Sequence, residues 1–245
     1  MTTQEFSNEF DILYNNVMSN QAPGLNEYEK SVFLTKAQSE ILKNYFNPQG
    51  NKYGLGFDDS AKRQIDFSSL VTICEPVEQT SPTEGFVKFD ERSKLYTMPA
   101  DIMFVLNETA LNTADEHTRL INIVPISFQE YARLMSRPYK QPQKNQGWRI
   151  FRSSDGVDIL SEVVIKYNST ITNYKVRYVR RPLPIILADL TDEYSSVSID
   201  GRTTVTECEL DPILHPEILQ RAVELAKAAY TGELKETVEL GQRSE

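Results

Sequence analysis

Residues 174–187 read YKVRYVRRPLPIIL. Their side chains alternate: Val176 and Tyr178 fall on one side, Lys175 and Arg177 on the other. A period of two is the signature of a β-strand with one face buried. Arg180 and Arg181 then lead into Pro182-Leu183-Pro184, and proline has no N–H to give to a sheet ladder. The stretch is therefore a strand that ends on a cationic rim.

The same period extends on both sides. LVTIC (70–74) reads as a strand. GFVKF (85–89) and KLYTM (94–98) flank the turn DERS, and DIMFVLNETAL (101–111) is a further strand. WRIF (148–151) and ILSEVVIKY (159–167) complete the set with the quoted run. Asp155-Gly156 and Asp200-Gly201 are turn dipeptides, because glycine accepts the positive φ of a tight hairpin. One helix interrupts the strands. SFQEYARLM (127–135) puts Phe128, Tyr131, Leu134 and Met135 on one side and stops before Pro138. A polar loop with Tyr139 as its apolar residue follows.

Both ends of the chain are helical. Thr2-x-x-Glu5 is a capping box, and Phe6, Phe10, Leu13, Tyr14 and Val17 follow as one stripe. Asn20 to Gly24 breaks that helix. Asn26-x-x-Glu29 caps a second, with Tyr28, Val32, Phe33, Ala37, Ile41, Leu42 and Tyr45 as apolar positions, ending at Asn47-Pro48. A short third helix is expected from Asp58 to Phe67. Pro216 opens the last helix, and Ile218, Leu219, Ala222, Val223, Ala226, Ala229 and Tyr230 form its stripe. The expected fold is α+β, with N- and C-terminal helices packed as a bundle beside a mostly antiparallel β-sandwich or open barrel. The expected parts are a helical segment 1–69 packing with 211–232, a mainly β domain 70–210, and a C-terminal helix with an acidic tail, 211–245.

Composition narrows the function classes. The 245 residues include 40% hydrophobic and 25% charged, ordinary for a globular chain. No apolar run approaches the roughly 18 residues that cross a bilayer, and MTTQEFSNEF is too polar for a signal peptide. The expectation is a protein that stays in the cytoplasm where it is made, with Cys74 and Cys208 as thiols. His117 and His215 lack partners at ligand spacing, so no metal site is expected. KYGLGFDDS (52–60) lacks the third glycine and the preceding strand of a nucleotide loop. It reads as a turn with Asp58 or Asp59 capping the next helix. There is no Gly-x-Ser-x-Gly and no phosphate loop. No catalytic, cofactor-binding or metal-binding residue is expected.

Charge is the remaining signal. The formal net charge is −9, yet residues 133–181 hold eleven basic and three acidic side chains, leaving −17 on the rest. Such asymmetry lets copies of a chain attract one another, or lets a basic face meet an acidic partner. The residues singled out as a candidate interface are Lys175, Arg177, Arg180, Arg181, Trp148 and Tyr139. The alternatives are a solvated basic face, charges that protect an edge strand from unwanted pairing, or contact with nucleic-acid phosphates through 133–181. Trp148 reads equally as a core anchor.

Five stretches in order carry a resemblance. They are the paired helices EFSNEFDILYNNVMSN and LNEYEKSVFLTKAQSEILKNYF; LYTMPADIMFVLNETAL; IVPISFQEYARLMSRPYKQP, a strand leading into a short helix; YKVRYVRRPLPIIL; and HPEILQRAVELAKAAY. The chain resembles the head-to-tail connector (adaptor, or ring) proteins of short-tailed bacteriophages, and among them the ring proteins of crAss-like phages. The resemblance implies a structural virion protein made in the bacterial host cytoplasm. It implies a homo-oligomeric ring, usually a dodecamer, beneath the portal protein. The ring would extend the channel through which encapsidated DNA passes without sequence-specific binding, and would dock the next tail or ring protein. It implies no membrane partner and no cofactor. Another tail or minor capsid component is the remaining virion alternative. The 195–210 hairpin and the acidic tail depart from the pattern.

Overall fold

In chain order the elements are α1 (Thr3–Met18), α2 (Glu27–Phe46), α3 (Ala61–Asp66), β1 (Val71–Cys74), β2 (Val77–Glu78), β3 (Lys94–Thr97), β4 (Ile102–Ala114), β5 (His117–Pro125), α4 (Phe128–Met135), β6 (Gln146–Ser154), β7 (Asp158–Val164), β8 (Ser169–Arg180) and α5 (His215–Thr231). This computed structural model describes residues 1–18, 24–46, 61–79, 90, 92–114, 117–154, 158–166, 169–191 and 197–231. The fold is α+β, and it divides into two compact units. The first unit is Met1–Leu70 with Pro182–Glu245; the second is Val71–Arg181.

In the first unit, α1 and α2 both pack on α5. Each N-terminal helix starts where a capping box satisfies its orphan donors. Thr2 N–H donates to Glu5 Oε2 at 2.8 Å, and Asn26 N–H to Glu29 Oε2 at 2.9 Å. The core takes Phe6, Phe10 and Tyr14 from α1, Leu34, Ala37, Ile41 and Leu42 from α2, and Ile218, Leu219, Ala222 and Ala226 from α5. Leu13, expected in the buried stripe, is 38% exposed, and Tyr230 is 51% exposed.

Residues 182–210 belong to this helical unit, although the sequence groups them with the strands. The reason is a hydrogen-bond ledger. Pro182 and Pro184 cannot join a ladder, so the extended run 183–187 uses side chains of α2 instead. Gln38 Nε2 donates to Leu183 O at 3.3 Å, Ile185 N–H donates to Thr35 Oγ1 at 3.1 Å, and Leu187 N–H donates to Ser31 Oγ at 3.0 Å. Ser31, Thr35 and Gln38 recur at helical spacing, so one polar stripe on α2 serves one extended strand of chain. Asp200 and Gly201 both have positive φ (48° and 75°), as the sequence expects for this turn, with Ile199 and Arg202 bridged across it.

The second unit is one eight-stranded curled sheet in the order β1-β8-β4-β5-β6-β7-β3-β2. Of the two arrangements expected, this is the open barrel. Neighbours pair antiparallel except β5 and β6, which are parallel and joined through α4. The curl has a local cause. Register shifts fall at three points between β4 and β8, between Ile102 and Phe104, Val105 and Asn107, and Thr109 and Leu111. Each extra residue bends its strand and increases the twist. On β8 the bulge contains Asn173 at φ 48°, a left-handed conformation that asparagine tolerates. Where β6 starts, a Cβ on Gly147 would lie 2.6 Å from Ile123 Cδ1, so a larger residue there would require the end of the Ile123 side chain to shift.

The sheet was only partly visible beforehand. Only the last residues of β5 carry a strand signal in the sequence, because His117, Thr118, Arg119 and Leu120 are all exposed and show no alternation. The expected strand 85–89, the Gly54–Asp59 turn, the helix start at Asp58 and the Asp155-Gly156 turn lie outside the described residues. Among the described residues no helix is long and apolar enough to cross a membrane.

Candidate interaction surface

The curled sheet gives β8 one inner and one outer face. Ile171, Tyr174, Val176 and Tyr178 point inward, into a core with Tyr96, Met98, Ala110, Ile121, Ile123, Val163 and Ile165. Thr172, Lys175 and Arg177 point outward and are exposed. Directly opposed residues share a face. Arg177 stands between Ile73 on β1 and Asn107 on β4, and Lys175 stands opposite Thr109. Ile73 is 64% exposed. Lys175 Nζ pairs with Glu75 at 3.1 Å, two exposed groups in high dielectric that contribute little to stability. Further along the same outer face, Leu111 lies opposite Leu120, which is 68% exposed.

The sequence-picked residues therefore separate. Lys175, Arg177 and the exposed Arg181 follow one another along β8 and its end, with half-buried Arg180 between them. Arg181 N–H also closes onto Asp101 O at 2.7 Å. β1 lies outside β8 and covers it at Val176–Val179, so Arg177 does not sit on an open edge. Tyr139, in a short 3-10 turn after α4, is 95% exposed. Trp148 is 5% exposed, opposite Val124 and Val164, and belongs to the interior of its own unit.

The +8 of residues 133–181 is not all surface charge. Arg149 Nε donates to Glu108 Oε2 at 2.9 Å, with both side chains buried. Tyr174 OH donates to the other Glu108 oxygen at 2.9 Å, and the Arg149 guanidinium lies 3.6 Å from the centre of the Phe151 ring. Burial pushes the Glu108 carboxyl up, and Arg149 and Tyr174 offset this in part. Arg152 reaches the fully buried Glu162 at 3.1 Å, and Ser93 donates to the same carboxylate. Beside them Arg92 and Asp90 pair at 2.6 Å, and Tyr131 OH from α4 donates to Asp90 at 3.0 Å. Burial works against the Asp90 anion, yet the bonds from Arg92 and Tyr131 hold its carboxyl below the ordinary range. These arginines are structural. Most of this network is not legible in the sequence, because Glu108 and Arg149, Ser93 and Glu162, and Asp90 and Tyr131 are far apart along the chain.

α4 has none of its residues buried. Phe128 is 53% exposed and stacks on Tyr131 at 6.5 Å between centroids. A Ser127–Glu130 capping box fixes its start, and Tyr131 OH together with an Arg92–Met135 contact at 3.6 Å ties it to the sheet unit. With Arg133, Arg137 and Lys140 exposed, it is a second outward-facing cationic element.

In the helical unit the charge is reversed. Counting each unit whole, it holds 22 acidic against 11 basic residues, whereas the sheet unit holds 13 against 15. Between α2 and α5, Arg221 ties Glu40 at 2.7 Å and Glu224 at 3.2 Å. His215 is buried, accepts the Met1 ammonium on Nδ1 at 2.9 Å and bonds Leu210 O through Nε2 at 3.0 Å. His117 lies on an exposed stretch of β5. Both cysteines are free, and burial pushes the Cys208 thiol up to about 11. Among the described residues no group of three or more His, Cys, Asp and Glu could hold a metal ion. The chemistry on offer at the surface is charge and apolar area, which suits contact with macromolecules.

Comparison with known proteins gives a consistent result. A family model described as phage tail ring protein 3/4 matches residues 1–237. Ring protein 4/5 of Bacteroides phage crAss001 is 61% identical over 246 residues, spanning all of both chains. Ring protein 3 of the same phage is 33% identical over 236 residues, covering 94% of this chain and 97% of that protein.

Proposed function

Since the chain belongs to the phage tail ring protein 3/4 family, we propose that it is a structural subunit of the virion with no catalytic activity. It closes with copies of itself into a ring in the head-to-tail connector, beneath the portal protein. The observation that carries this reading is the full-length match, 61% identical, to ring protein 4/5 of phage crAss001. The ring is a dodecamer that lengthens the channel for encapsidated DNA, takes part in DNA ejection and offers a platform to the next tail or ring protein. It does not grip the DNA, because a sticky wall would slow its passage.

The surface chemistry supports a docking role for the cationic strand. Lys175, Arg177, Arg180 and Arg181 meet acidic residues of a neighbouring subunit, and Tyr139 supplies an exposed aromatic anchor of the kind that dominates interface energies. Trp148 contributes from inside, by holding β6 in place.

The test is cryo-electron microscopy of purified particles of the source phage. The expected result is a closed ring of this chain between portal and tail. Intact particles that lack the chain overturn the proposal. Salt-dependent DNA binding by the purified chain would then be the property to measure.

A further inference from the structure

The outward face of α1 is the chemical complement of the outward face of β8. On α1, Glu5, Glu9, Ile12 and Asn16 recur at helical spacing, and all four are exposed. Ile12 is 59% exposed and Leu13 beside it 38%, while Phe6, Phe10 and Tyr14 fill the core on the inward side. The helix carries Glu5, Glu9 and Asp11 and no basic residue. Asp11 is occupied by Lys30 at 2.7 Å, and Glu5 accepts the capping bond from Thr2, which leaves Glu9 as the acid without a local task. On the sheet, Arg177 stands directly beside Ile73, which is 64% exposed. Each patch thus sets one charge next to one large bare aliphatic side chain, and the charges are opposite.

We propose that the α1 stripe of one copy of this chain packs on the Ile73–Arg177 patch of the next copy, with Glu9 against Arg177 and Ile12 against Ile73. The inference rests on the ring reading above and names the two surfaces that join. The two patches lie in different units of the chain, and in a ring the contact is heterologous: every copy offers one patch to one neighbour and receives the other neighbour with the second. Such a contact propagates around a ring when its rotation closes. The apolar pair excludes water from the ion pair, which sharpens its electrostatics.

The experiment is charge reversal and its repair in phage particles. Particles are grown with the chain as Arg177→Glu, as Glu9→Arg, and as the double variant, and copies of the chain per particle are counted by quantitative mass spectrometry. Each single variant should lower incorporation about ten-fold, the effect of about 1.4 kcal/mol per contact. The double variant should return to within about two-fold of the wild type, since it restores the pair with signs exchanged. Both positions are exposed, so thermal melts of the purified variants should match the wild type. Singles that incorporate normally, or a double variant no better than the singles, overturn the pairing and leave the ring reading standing. Wild-type particles that lack the chain overturn the ring reading itself.

Discussion

At the scale of single residues, the buried charges set the sharpest tests. Glu108 and Arg149 sit inside the curled sheet with Tyr174 as third partner. Removing one ion of a buried pair leaves the other desolvated and alone. Arg149→Met should therefore cost about 3–5 kcal/mol in urea unfolding. A loss under about 1 kcal/mol would mean that water reaches Glu108. His215 gives a pH test. Burial, with the Met1 ammonium adding to it, holds its pKa below the ordinary value, so the native state keeps the imidazole neutral. The unfolded chain then binds the extra proton as pH falls past about 6.5, and stability must drop with it. The melting temperature should fall between pH 7 and pH 5, and His215→Gln should flatten that part of the profile. A variant whose profile stays parallel to the wild type would remove His215 from the account. Neither residue announced itself in the sequence. Arg149 read as one more cation of a basic segment, because its partner lies on another strand.

At the scale of elements, what could be read was local. Capping boxes at Thr2 and Asn26 depend on four consecutive residues, and both helices start there. The alternation of 174–178 depends on five, and its inward and outward faces are as the sequence has them. What could not be read depends on partners. The polar stripe of Ser31, Thr35 and Gln38 looks like a weak spot in an amphipathic helix until the proline-bounded run 183–187 arrives to use it. Leu13 matched the buried period of α1 and is exposed, which is how the outward stripe of α1 escaped notice. Two substitutions probe these elements. Thr35→Val keeps the shape and leaves the buried Ile185 N–H without its acceptor. Thermal or urea melts should show a loss of about 1–3 kcal/mol. Asn173 holds the β8 bulge at φ 48°. Asn173→Ala should cost about 1 kcal/mol and Asn173→Gly almost nothing. Equal effects of the two would mean that the side chain of Asn173, and not its backbone angle, is what the bulge requires.

At the scale of the whole molecule, the chain leaves its helical unit at Leu70 and re-enters it at Pro182, and between them lies the sheet unit. The strands that begin and end that excursion, β1 and β8, are neighbours, with Val71 opposite Val179. This pairing lets a helical unit be assembled from two distant pieces of sequence. It also sets the −9 net charge out as an acidic unit and a slightly basic one, an arrangement invisible in a linear count, because residues 182–210 carry their acids to the helical side. Ring closure by oppositely charged patches has a kinetic signature. Long-range attraction speeds encounter, whereas the apolar contact governs release. Raising salt from 0.1 M to 1 M shortens the screening length from about 10 Å to about 3 Å. The association rate of the purified chain, followed by light scattering, should fall about ten-fold or more over that range. Its dissociation rate should change far less, since an apolar contact such as the proposed Ile12–Ile73 pair is not screened by salt. Arg177→Glu should remove most of the salt dependence of association. An association rate that is indifferent to salt would mean that the charge asymmetry serves solubility alone, and that shape and apolar area by themselves bring the subunits together.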